Sequence, residues 1–103
     1  MEKAEDSIIR LRDKIVRECA PSKIILFSEK HNPGGELSSV KLCVIIGDGD
    51  AIKVEKRLYV EIESEVPFDV LVYTKEQWGK LLENDMSFAA SIKKTGRVLY
   101  AAD

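Results

Sequence analysis

The stretch Leu37-Ser38-Ser39-Val40-Lys41-Leu42-Cys43-Val44-Ile45-Ile46-Gly47 decides how the chain is read. Its second half is a continuous apolar run rich in β-branched residues, which suits a strand buried on both faces. Its first half mixes polar and apolar residues, and side chains two apart on a strand share a face. Ser39 and Lys41 therefore point one way, and Val40, Leu42 and Val44 the other. A cation stands at the mouth of a strand that otherwise belongs in a core.

Toward the N-terminus, residues 28–38 (SEKHNPGGELS) carry Asn32-Pro33-Gly34-Gly35 and are predicted as one long loop. Before it, Lys23–Phe27 (KIILF) is a short apolar run that reads as another buried strand. Ile8, Leu11, Ile15, Val16 and Cys19 recur at helical spacing among charged residues, and Pro21 ends that helix.

Toward the C-terminus, Gly47-Asp48-Gly49-Asp50 is a turn, and Asp50 is placed to cap a helix with Ala51, Val54, Leu58 and Ile62 inward. Leu58, Val60 and Ile62 also alternate as in a strand, but the helical period covers more of the segment. Pro67 opens a third strand, PFDVLVY, with Asp69 near its beginning. Thr74 and Gln77 form a capping box for a helix predicted to bury Trp78, Leu81 and Leu82. A last helix, from about residue 85 to 95, pairs Phe88 with Ile92. Lys93 and Lys94 suit its C-terminal dipole, and Gly96 suits the position just beyond it. Val98, Leu99 and Tyr100 follow as a short apolar tail. The expected fold is α/β: one domain over residues 1–103, with a small mixed sheet of about three strands flanked by helices.

The totals agree with one soluble domain of 103 residues, 45% hydrophobic and 33% charged. A net charge of -2 and a pI near 5.5 argue against general attraction to nucleic acid or anionic membrane. No apolar run approaches the roughly 20 residues of a membrane span, and the charged opening MEKAED does not read as a signal peptide. Cys19 and Cys43 lack metal-ligand spacing and read as reduced residues of a cytoplasmic protein.

The motifs around the opening stretch resemble the minimal nucleotidyltransferases of the DNA polymerase β-like superfamily. That family joins a strand ending Leu-Phe-Gly-Ser to a Ser-Asp-x-Asp-Leu strand and a later strand carrying an aspartate. Here the counterparts are Leu26-Phe27-Ser28-Glu29, Ser38-Ser39-Val40-Lys41-Leu42-Cys43-Val44 and Phe68-Asp69-Val70-Leu71-Val72. The resemblance implies an αβαβαβα arrangement and an ancestral site at Ser28, Glu29, Ser39, Lys41 and Asp69. It also implies that the chemistry is lost. In the family, three carboxylates hold two magnesium ions that bind a nucleoside triphosphate, a task for hard oxygen ligands. Ser39 and Lys41 occupy two of those positions, and only Asp69 keeps its carboxylate. A Lys41–Asp69 ion pair is expected in place of the metals, with no cofactor.

Two functional expectations stay open. One is an inactive domain that works by binding, with a protein partner (in family terms, the helical partner of a toxin–antitoxin pair) or a second copy of itself. The other is a weakened nucleotide or phosphate site using Lys41, Asp69 and the 28–38 loop, with Gly34 and Gly35 supplying backbone N–H groups and Mg and ATP as cofactors. Asp48 and Asp50 are too far along the strand to replace the lost ligands, which leaves Glu29 and Glu36 as the nearest substitutes. His31 reads as a solvated loop residue, and Glu61, Glu63 and Glu65 as a solvated face or a contact for a basic partner.

Overall fold

A computed structural model of the chain describes residues 3–102. It is an α/β structure with a four-stranded mixed sheet in the order β3-β2-β1-β4. The elements are α1 (Lys3–Cys19), β1 (Lys23–His31), β2 (Leu37–Ile46), α2 (Ala51–Glu61), β3 (Phe68–Thr74), α3 (Lys75–Leu82), α4 (Phe88–Thr95) and β4 (Arg97–Ala101). β1 pairs antiparallel with both β2 and β4, while β2 and β3 run parallel through the α2 crossover.

Alternation along β2 builds two cores. Val40, Leu42, Val44 and Ile46 meet Ile8, Leu11 and Ile15 of α1 and Leu58 of α2 on one face of the sheet. Cys43 and Ile45 meet Trp78 of α3 and Ala89 and Ile92 of α4 on the other. Both cysteines are free; Cys43 is buried and Cys19 partly so. The helix starts follow their caps: Asp50 accepts from the Ile52 and Lys53 amides, and Thr74 with Gln77 closes a reciprocal capping box.

Several expectations change. The 28–38 loop is a hairpin: β1 continues through Ser28, Glu29 and Lys30 to His31, and only residues 32–36 turn. Cross-strand pairing with residues 37–41 overrides the low strand propensity of that polar run. The register slips at Phe27, a bulge that turns the polar end of the hairpin. The apolar tail is a fourth strand, β4, whose Val98 stays 54% exposed because it lies at the sheet edge. Leu81 and Phe88 face outward rather than into the core. Gly96 has ordinary extended backbone, with φ -76°. Its missing side chain is explained by crowding, since a Cβ there would lie 2.5 Å from Ile25 Cγ2 and 2.6 Å from the Ile92 carbonyl oxygen.

Candidate functional site

Register fixes which of the predicted residues meet. Ser28 lies directly across from Lys41, Lys30 across from Ser39, and Lys41 beside Asp69. Directly opposed side chains share a face, so Ser28, Lys30, Ser39 and Lys41 project together, on the side of the sheet covered by α3 and α4. That cover stops short of this end. Phe27, Lys41, Asp69, Leu71 and Phe88 line a hollow of about 320 Å³ there, closed at the edge of β3 by Glu55 and Tyr59. The Phe27 and Phe88 rings meet edge to face with centroids 5.5 Å apart.

Other candidates lie elsewhere. Glu29 pairs with Val40 and so faces the α1–α2 side, where its carboxylate sits 3.8 Å from His31. Glu36 is held by Asn32 in the turn. Gly34 and Gly35 belong to that same turn, Gly35 at φ +87° with its amide donating to the Asn32 carbonyl. The glycines serve the hairpin tip, several residues along the ribbon from Lys41. The acidic run is partly engaged: Glu65 takes Arg10 at 2.7 Å and Ser7 at 2.8 Å, tying α1 to the segment before β3. The Arg10 hydrogen bond, with help from Ser7, holds the Glu65 carboxyl below its usual range.

The expected ion pair is not formed. Lys41 and Asp69 are register neighbours, yet neither belongs to an ion pair among the described residues. Both are exposed, so solvation competes with a pairing that would contribute only about 0–1 kcal/mol. Asp69 instead lies beside Tyr59. Burial raises the Tyr59 phenol, and the nearby Asp69 and Glu55 carboxylates act in the same direction, against the hydrogen bond to Val70. The end of the sheet also differs from the usual α/β ligand crevice, which lies beyond the carboxyl ends of parallel strands. Asp69 is the second residue of β3, so the hollow lies where β3 begins.

Sequence reasoning missed Glu55, Tyr59 and Phe88 as members of the site. Their signal was tertiary: α2 and α4 bring them in, and nothing local distinguishes them from other helix-surface residues. Among the described residues, no group of three or more His, Cys, Asp or Glu side chains gathers in a way that could hold a metal ion. Comparison with protein-family models, curated proteins and solved structures returns no match.

Proposed function

We propose that the chain is a catalytically inactive nucleotidyltransferase-like domain that acts by binding, in the cytoplasm, through a protein partner or a second copy. The observation that carries this reading is the Lys41 ammonium in register with Asp69, on the face that Ser39 shares. An ammonium repels Mg²⁺, and one carboxylate with a hydroxyl cannot supply the ligands of a two-metal site. Incubation with labelled ATP, GTP, CTP or UTP and Mg²⁺ or Mn²⁺ is expected to transfer no label to the protein, to RNA or to copurified protein. Metal-dependent transfer, abolished by Asp69→Asn, would overturn the reading.

A second reading, a residual phosphate site, draws on the hairpin face that carries Lys30, Lys41, Ser28 and Ser39 together. Its test is thermal melting with nucleotides. Saturation at a hundred times the dissociation constant stabilises by about 2.7 kcal/mol, a shift of roughly ten degrees or more for a domain of this size. Unchanged melting with every nucleotide removes this second reading.

A further inference from the structure

Lys41 and Asp69 present one ammonium and one carboxylate on neighbouring strands, both exposed, over a hollow with an apolar wall. Adjacent strands lie about 4.8 Å apart, so the two charges sit within reach of one small molecule. Phe27, Leu71 and Phe88 form the wall. We infer that this hollow binds a free zwitterionic α-amino acid with an apolar side chain. The ligand carboxylate meets the Lys41 ammonium, its ammonium meets Asp69, and its side chain lies against the rings.

Charge decides among ligand classes. The hollow holds Lys41 against Asp69 and Glu55, so a phosphate ester that satisfied Lys41 would also face two carboxylates. A simple amine would satisfy Asp69 and bring a like charge to Lys41. A ligand with an ammonium and a carboxylate on the same carbon satisfies both groups, and a volume of about 320 Å³ admits an apolar side chain as well.

The inference rests on reading the hollow as a binding site rather than a reaction centre. Its test is an amide-resolved NMR titration of the full chain with L-leucine and L-phenylalanine, beside N-acetyl-L-phenylalanine and L-phenylalaninamide. The free amino acids are expected to shift the amides of Phe27, Lys41 and Leu71 saturably. Each blocked form, having lost one charge-assisted hydrogen bond, is expected to bind about tenfold more weakly. In Lys41→Met the amide should bind as well as the free amino acid, and in Asp69→Asn the N-acetyl form should. Absence of shifts up to the solubility limit, or equal binding of blocked and free forms by the wild-type chain, would overturn the inference. Nucleotidyl transfer would instead overturn the reading of the preceding subsection, so the two failures are distinguishable.

Discussion

At Gly96 the residue is constrained by its neighbours and not by its own backbone angles. Ile25 and the Ile92 carbonyl leave no room for a methyl group, and both belong to well-packed elements. Gly96→Ala is expected to cost about 1–3 kcal/mol, the usual range for forcing atoms into a filled core, read as a lower denaturant midpoint at unchanged slope. Cys43 is the other residue with a definite consequence. Burial pushes its thiol from the ordinary 9.0 up to about 12. The folded state therefore holds this proton more tightly than the unfolded chain. The resulting stability is fully present below about pH 9 and is lost as pH rises toward 12. Melting temperatures between those limits should fall more steeply for the wild type than for Cys43→Ala. Under native conditions a thiol reagent should reach Cys19 well before Cys43.

Among the elements, helix starts and apolar cores were legible because their signals are local. Asp50, Thr74 and Gln77 act as their spacing implied. Asp50→Ala should cost about 1 kcal/mol, measurable by chemical denaturation. The strands that escaped notice depend on partners. Ser28 to His31 becomes strand only because residues 37–41 lie across from it, and Arg97 to Ala101 only because β1 offers an edge.

The two sheet edges are finished differently. On β3, the Tyr59 hydroxyl accepts the Val70 amide at 2.8 Å, and Glu55 Oε1 accepts the Val72 amide at 3.3 Å. Side chains of α2 thus occupy backbone groups that would otherwise be open to another strand. On β4, short length and a register slip at Leu99, between Val98 and Tyr100, do the corresponding work. Tyr59→Phe should remove the hydroxyl's bonds to both the amide and the carbonyl of Val70, with a loss of about 1 kcal/mol and faster aggregation on heating by light scattering.

Across the whole molecule, three stretches far apart in sequence, around Ser28, Lys41 and Asp69, are brought side by side by the sheet register. The order of the motifs was visible because each sits in its own strand. Their meeting at Lys41 and Asp69 followed from a parallel register that no local pattern specifies. The failure of the expected ion pair has the same origin, since exposure and the approach of Tyr59 are set by how α2 packs along the edge of β3.

The central claim is that Ser39 and Lys41, beside Asp69, replace a metal site with a binding surface. It is tested most directly by restoring the carboxylates. Thermal melting of the wild type and of the double substitution Ser39→Asp with Lys41→Asp, each with and without Mg²⁺, makes the comparison. The wild type is expected to show no Mg²⁺-dependent shift, and the double substitution, with three carboxylates on one face, a rise of several degrees at saturating Mg²⁺. A metal-dependent rise in the wild type, or none in the double substitution, would contradict the account.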